Sequence, residues 1–271
     1  MRTFLFGDIH GNEVALEACL EQMNGLKADT VYCLGDLVGW LPFGNRTLIR
    51  MRALGFPTVA GNHDLLVAGL FTDHPGQLDR MQATAYNAGL LASMPGAAEY
   101  LLNLPLVLEE EDFVVVHHSP FHLPEPGGSP SIGCFGYLDD AALAGCLEAW
   151  RIFPRRLIFS GHDHLPVVYE LRDDIESPQI EDLQIYRPAP DRPLTIRLNS
   201  RSRYWVKAGS VGGPYRDGIP LANSVLYDSH AGTITLFRIA YETRSLRSEL
   251  ASNRFMGNLP TIRNYLKLLG Q

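Results

Sequence analysis

Short β-branched and aromatic runs alternate with amphipathic helical patterns through the first third of this chain, and that alternation limits the fold more than any other feature. Strands are expected over residues 3–6, 30–34 and 58–59. Between them, residues 13–23 set Val14, Leu16, Ala18, Cys19, Leu20 and Met23 on one broad apolar face, and residues 47–54 run to Gly55, a natural helix end. Stacked βαβ units need a sheet with parallel strands. In such sheets ligands bind in the crevice beyond the carboxyl ends of the strands.

The rest of the chain is richer in strands. A long helical region over 77–94 is broken by Pro95-Gly96, and a shorter helix precedes Pro105. Residues 106–108 and 113–116 flank the acidic turn Glu109-Glu110-Glu111-Asp112, a hairpin with its charges on a solvated tip. Residues 139–150 read as a helix, and strands are expected at 156–160, 167–171, 194–198, 204–207, 224–227 and 233–239. The stretch 172–193 is polar and carries Pro178, Pro188, Pro190 and Pro193, which marks an inserted surface loop or hairpin. The tail over 243–271 is amphipathic through Leu246, Leu250, Phe255, Leu259, Ile262, Leu266 and Leu269, and fits either the sheet or a second subunit, with packing on its own chain the favoured expectation. Arg244, Arg247, Arg254, Arg263 and Lys267 read as its solvated face. With no clear linker, residues 1–271 read as one domain.

Hydrophobic residues make up 46% of the 271, enough for an ordinary core and too many for a disordered chain. A net charge of −7 argues against an extended nucleic-acid surface built on counterion release and favours a small substrate. Met1 to Asp8 run straight into a strand with no apolar stretch of signal-peptide or membrane-span length, so a cytoplasmic protein without a membrane anchor is expected. Cys19, Cys33, Cys134 and Cys146 lie far apart with no CxxC and read as free, mostly buried thiols.

The apolar runs end in a recurring kind of residue. Asp8 and His10 close the first and project to the same side; Gly35-Asp36 follow the second, and Gly61-Asn62-His63-Asp64 the third. His117 follows Val114 to Val116, and Gly161-His162-Asp163-His164 follow Leu157 to Ser160. Each is a potential ligand at a strand end. Aspartate, asparagine and imidazole without thiolate suit Mn²⁺, Fe, Zn²⁺, Co²⁺ or Ni²⁺ better than Ca²⁺ or Cu(I).

The whole array, D-x-H, G-D, G-N-H-D, H and G-H-x-H, resembles the calcineurin-like metallophosphoesterase superfamily over Asp8 to His164. His117-His118-Ser119-Pro120 is similar to the family's His-Gly-Ser-Pro, and Gly209-Ser210-Val211-Gly212 followed by Arg216-Asp217-Gly218 looks like its small prokaryotic phosphodiesterase-like branch. The resemblance implies an α/β fold, a four-layer α/β/β/α sandwich of two mixed sheets. It also implies one ion bound by Asp8, His10, Asp36 and His164, and a second by Asp36, Asn62, His117 and His162, with Asp36 bridging and Mn²⁺ the favoured metal. His63 would face the scissile phosphate as acid or charge stabiliser, with Asp64 orienting its ring. His118 stands where the family commonly has glycine and is the alternative to His117; strand phase and the His-x-Ser-Pro alignment favour His117. Two divalent ions offset by Asp8, Asp36 and a shared hydroxide keep about one net positive charge, which draws a phosphate oxygen while the hydroxide attacks phosphorus.

His74, His122 and His230 read as ordinary side chains. Gly209 and Gly212 fit either a tight turn or a close backbone approach to the site, and Trp40 and Phe43 read first as packing under the loop. The symmetrical dinucleotide-tetraphosphatase and Ser/Thr phosphatase pattern resembles G-D-x-V-D-R-G and R-G-N-H-E, but here Gly39 and Trp40 replace Asp and Arg, and Ala60 replaces the second Arg. Without those two guanidiniums, a singly charged phosphodiester fits better than a monoester dianion. A small phosphoester or nucleotide is thus the expected substrate. The alternatives are a nucleoside polyphosphate of the diadenosine tetraphosphate type, with Arg216 supplying a missing charge, or broad phosphatase activity. Some members of the fold, such as a retromer subunit, have lost ligands and become protein-binding scaffolds. Retention of His63 and of every metal position favours an enzyme here.

Overall fold

A computed structural model describes residues 1–73 and 76–270, so His74 lies outside the described residues. Its strands are β1 (Arg2–Phe6), β2 (Thr30–Cys33), β3 (Val107–Glu109), β4 (Phe113–Val116), β5 (Leu157–Ser160), β6 (Pro166–Arg172), β7 (Gln184–Tyr186), β8 (Leu194–Arg197), β9 (Ser202–Ala208), β10 (Ala222–Asp228) and β11 (Thr233–Ile239). They form two mixed sheets, ordered β2-β1-β10-β11-β8 and β3-β4-β5-β9-β6-β7. Strands β1 and β2 pair in parallel in the first, and β4, β5 and β9 in the second. The helices are α1 (Glu13–Leu26), α2 (Gly44–Leu54), α3 (Asn62–Val67), α4 (Leu78–Leu91), α5 (Ala97–Leu102), α6 (Asp140–Arg151), α7 (Arg244–Ser252) and α8 (Pro260–Leu268).

Alternation along each strand sorts the apolar side chains into faces, and the faces make the layers. Phe4 and Phe6 of β1 pack with Leu16, Cys19, Leu48 and Met51 of α1 and α2, whereas Leu5 points the other way. There it meets Val225 and Leu236 from its own sheet and Phe113, Val115, Phe159 and Val206 from the second. The opposite phase of the second sheet, Val114, Val116, Ile158 and Trp205, packs on Leu143, Leu147 and Trp150 of α6. Helix, sheet, sheet and helix follow one another, the expected four layers.

Local signals set most element ends. Asn12 caps α1 by accepting from the Ala15 amide, Asp139 caps α6 by accepting from Ala142, and Gly55 ends α2 with φ of 64°. The strand expected at 58–59 is one bridge, Cys33 to Thr58, because the chain turns at once into α3. The stretch 172–193 folds back as β7 on the edge of β6, after a 3₁₀ turn over Ile180–Asp182. Leu246 and Leu250 of α7, Ile262 of α8 and the flanking Leu259 and Leu269 are buried with Trp40, Leu41, Phe43 and Tyr215, which is packing within the chain. Phe255, expected on the same face, is exposed because it falls in the turn between the two helices, and the five basic residues of the tail are exposed as well. The four thiols are free, with Cys19, Cys33 and Cys146 buried and Cys134 half-buried. Among the described residues, no helix is long and apolar enough to cross a membrane.

Candidate metal centre

Parallel pairing brings the carboxyl ends of β1, β2, β4 and β5 to one edge, and backbone hydrogen bonds lock their loops together. The amides of Asp8 and His10 donate to the carbonyls of Gly35 and Asp36, each at 2.9 Å, and Gly161 N donates to His117 O at 2.9 Å. Gly212, in the loop after β9, donates to Asp8 O at 2.9 Å, and a Cβ on it would lie 1.8 Å from Ile9 O. Close approach therefore demands glycine there. Gly61 is held in the same way, since a Cβ on it would lie 2.1 Å from Asp36 Oδ1.

The backbone is strained where the donors emerge. Asp8, His10, Asp36, His162 and His164 have φ of 53°, 52°, 54°, 69° and 58°, and apart from Lys27 they are the only non-glycine residues among those described with left-handed φ. That conformation costs an L-residue roughly 1–2 kcal/mol, and such strain collects where function requires a geometry. Composition gave no sign of it, beyond the tolerance of aspartate and histidine for this region.

All seven expected ligands converge. Ligand atoms of Asp8, His10, Asp36 and His164 lie within 4.8 Å of one another, all four residues buried. Nε2 of His10 and His164 face each other at 3.0 Å, with Asp8 Oδ1 3.2 Å from His164 Nε2 and Asp36 Oδ2 3.5 Å from His10 Nε2. On the other side of Asp36, Oδ2 lies 3.3 Å from His117 Nε2, and Asn62 Oδ1 lies 3.2 Å from that atom and 3.0 Å from His162 Nδ1. Asp36 Oδ1 is occupied by the His63 amide at 2.8 Å, which turns Oδ2 towards both groups.

These residues fit a pair of cations on several counts. Asp8 and Asp36 are buried, and neither pairs with a lysine or arginine among the described residues, a costly state for carboxylates without a cation. Backbone carbonyls hold the far ring nitrogens: Leu34 O at 2.6 Å from His117 Nδ1 and Pro214 O at 2.9 Å from His164 Nδ1. A proton on Nδ1 leaves the Nε2 lone pair facing the centre, the arrangement a metal-ligating imidazole needs. Burial, followed by the neighbouring His117, lowers the pKa of His162, and burial also lowers that of His10 against the pull of Asp36; both rings therefore favour the neutral, ligating form.

His63 lies edge-on to His10, ring centroids 4.6 Å apart, and lines the cavity over the centre with its Nδ1 unpartnered. The expected orienting role of Asp64 is not what the structure shows. Its carboxylate accepts from the amides of Gly61, Asp36, Leu37 and Val38, tying together the loops that carry Asp36 and Asn62. One carboxylate cannot serve four amides and the imidazole as well. Burial and the Asp36 charge push Asp64 up to about 7, while the amide bonds favour its ionised form.

His118 gathers with His162 and Asp163, and burial drives its pKa down to about 2. The nitrogen facing Asp36 and Asn62 belongs to His117. Behind His162, buried Lys207 of β9 pairs with Asp163, whose other oxygen accepts from Leu138 N, and burial lowers Lys207 to about 7. A lysine inside the apolar run Tyr204 to Ala208 was the signal for this pair. Trp40 packs edge-on to Tyr265 at 4.7 Å and also lines the cavity, and Phe43 is buried with the tail. His122 bonds Ser119 Oγ at 3.0 Å and His230 is exposed, and neither lines the cavity.

Over the donors opens a cavity of about 190 Å³, room for several water-sized groups. Arg80 and Arg216 line it. Guanidiniums absent from the two motif positions thus reach the site from α4 and from the loop after β9.

The calcineurin-like phosphoesterase family model matches residues 1–184. The chain belongs to that family. An uncharacterised protein of Methanocaldococcus jannaschii, MJ0912, is 27% identical over 257 residues, 92% of each chain. A metallophosphoesterase from Sphaerobacter thermophilus superposes with a TM-score of 0.74 at 27% identity, covering 100% of this chain and 99% of that one. A symmetrical bis(5'-nucleosyl)-tetraphosphatase of Pectobacterium atrosepticum is 33% identical over 123 residues, 43% of this chain and 42% of that enzyme. With the buried Asp/His cluster, this family membership makes the protein a metal-dependent phosphoesterase, a hydrolase acting on ester bonds.

Proposed function

We propose that this phosphoesterase holds one divalent ion with Asp8, His10, Asp36 and His164 and a second with Asp36, Asn62, His117 and His162, and hydrolyses phosphodiester-type bonds in small or nucleotide substrates. The observation that carries the reading is Asp36 Oδ2, 3.5 Å from His10 Nε2 and 3.3 Å from His117 Nε2, set between the two donor groups. When bound, two such ions lower the pKa of a shared water and offset charge on the phosphoryl oxygens. Mn²⁺ is the metal we favour for this donor set.

The chain's own groups do the rest. Asn62 and His117 hold their donor atoms in place through the Leu34 carbonyl and the His162 ring. His63 presents an imidazole to the cavity, where it supplies a proton or positive charge to the leaving oxygen. Burial lowers its pKa against the pull of Asp36, which favours the neutral ring; an anionic phosphate beside it stabilises the imidazolium that donates. No guanidinium stands at residues 39, 40 or 60, and the two that line the cavity, Arg80 and Arg216, come from other elements. With none at the motif positions beside the donors, a reacting phosphorus with a single negative charge is favoured. An internal phosphoryl of a nucleoside polyphosphate meets that condition as well as a simple diester does. Residues 1–271 act as one domain in this reading, and the four free thiols suit a reducing cytoplasm.

The test is direct. Chelator-stripped protein receives Mn²⁺ and is assayed on an aryl phosphodiester and an aryl phosphomonoester side by side. Metal-dependent turnover with the diester ahead is the expected outcome; a monoester faster than the diester contradicts the preference, and turnover indifferent to metal contradicts the centre.

A further inference from the structure

The cavity over the donors has two levels. Its floor is Asp36, Asn62, His63 and the ligand histidines, and its mouth carries Arg80, Tyr137 and Arg216. Tyr137 stacks on His162, ring centroids 5.3 Å apart and planes 23° apart, and the Arg216 guanidinium lies 3.9 Å over the Tyr137 ring. A column therefore rises from a candidate metal ligand to an exposed cation. Arg216 lines the cavity, is exposed and makes no hydrogen bond or ion pair among the described residues, so its donors are open to an anion there.

Arg80 is a different kind of cation. Its Nε and Nη2 are fixed by buried Asp73, which sets the guanidinium plane with Nη1 left over for another acceptor. Burial opposes its charge, but Asp73, with Tyr137 and Asp36 behind it, holds its pKa above the ordinary arginine value. The acid of the rim, Asp79, is committed elsewhere: its carboxylate accepts from Thr261 N at the start of α8 at 2.9 Å.

Neither guanidinium is needed for a phosphoryl group seated on the floor, where the donors described above already converge. Two cations with open donors at the mouth of a phosphoesterase cavity are instead matched to an anion beyond the reacting phosphorus. We infer that Arg80 and Arg216 form a second phosphate subsite, and that the substrates are organic phosphates with a further anionic phosphoryl group next to the scissile one, a class that includes nucleoside polyphosphates. The inference rests on the hydrolase reading above and adds the part of the substrate that does not react. Tyr137, with Arg216 on one face, acts as a positioning residue for that guanidinium.

Binding is read separately from turnover. Mn²⁺-loaded full-length protein is titrated calorimetrically with adenosine 5'-(α,β-methylene)diphosphate and with adenosine 5'-monophosphate, which differ by one phosphoryl group and share the base. The wild type is expected to prefer the diphosphate by roughly 10–100-fold, the range for a charge-assisted hydrogen bond. Arg216→Gln and Arg80→Gln are each expected to cut that ratio by about 10-fold. Arg216 is exposed and its variant keeps the fold, so the test stands even where loss of the Asp73 pair destabilises the Arg80 variant. A wild-type ratio near one, or a ratio unchanged in both variants, overturns the subsite; a fall in only one overturns the two-arginine clamp. Absence of hydrolysis of an aryl phosphodiester by the same loaded protein counts against the hydrolase reading alone.

Discussion

Five of the donors sit in a backbone conformation that favours glycine, and this says more about the site than residue types alone. Tight loops with φ near 55° turn Asp8, His10 and Asp36 inward, and the cost of those turns is met by the hydrogen bonds among the loops. His63 depends on a neighbour with no side chain: a Cβ on Gly39, whose φ is 107°, would lie 2.7 Å from His63 Cβ and 2.8 Å from its Nδ1. Gly39→Ala is expected to displace the ring and to lower turnover at least 10-fold, with metal content near the wild-type value; equal turnover in the steady-state assay contradicts a role for the ring's position. His63→Ala is expected to keep its metals and lose about 10²–10⁴-fold in kcat, the usual worth of acid assistance, most clearly on a poor leaving group. At this scale the convergence of the candidate donors was legible, because their motifs follow the apolar runs and resemble the family's array. The role of Asp64 was not, because sequence adjacency to His63 says nothing of the four amides that claim its carboxylate.

Among the elements, the C-terminal helices do more than cover a surface. Tyr265 of α8 donates to Gly212 O at 2.8 Å and accepts from Asn12 Nδ2 at 3.1 Å, so α8 braces the loop that bonds Asp8 O. Ile262 is fully buried in the cluster that includes Trp40. Ile262→Ala is expected to cost about 2–5 kcal/mol in urea unfolding, as truncation of a buried aliphatic side chain does; a loss under 0.5 kcal/mol would mean that the tail is not part of the core. Amphipathic spacing foretold an inward apolar face for the tail, but not its division into α7 and α8 or the exposure of Phe255 between them. Helix α3 was hidden, since its ligand-bearing start at Asn62-His63 reads as a loop, and its first turn is set by Asp64 accepting from Gly61 N. Arg80 and Arg216 could not be placed at one mouth from a sequence in which more than a hundred residues separate them.

For the whole molecule, two sheets meet so that parallel strands from each deliver donors to one shared edge. Asp8 and Asp36 come from the first sheet, His117, His162 and His164 from the second. The layers followed from alternation, but the insertion of β10 beside β1 required tertiary pairing that no local pattern encodes. Because the donors come from both sheets, cations bound between them bind the folded state alone. Mn²⁺ at 100 times its Kd is expected to add about 2.7 kcal/mol and to raise the Tm of stripped protein by about 5–10 °C; a Tm insensitive to Mn²⁺ contradicts a cation site that spans the sheets. The central claim is that one carboxylate serves two ions, and metal stoichiometry by plasma mass spectrometry on dialysed protein tests it most directly. Wild type is expected to carry two ions per chain and Asp36→Ala to lose both together, whereas a folded Asp36→Ala protein that still carries two ions, or a wild type saturated by one, contradicts the account.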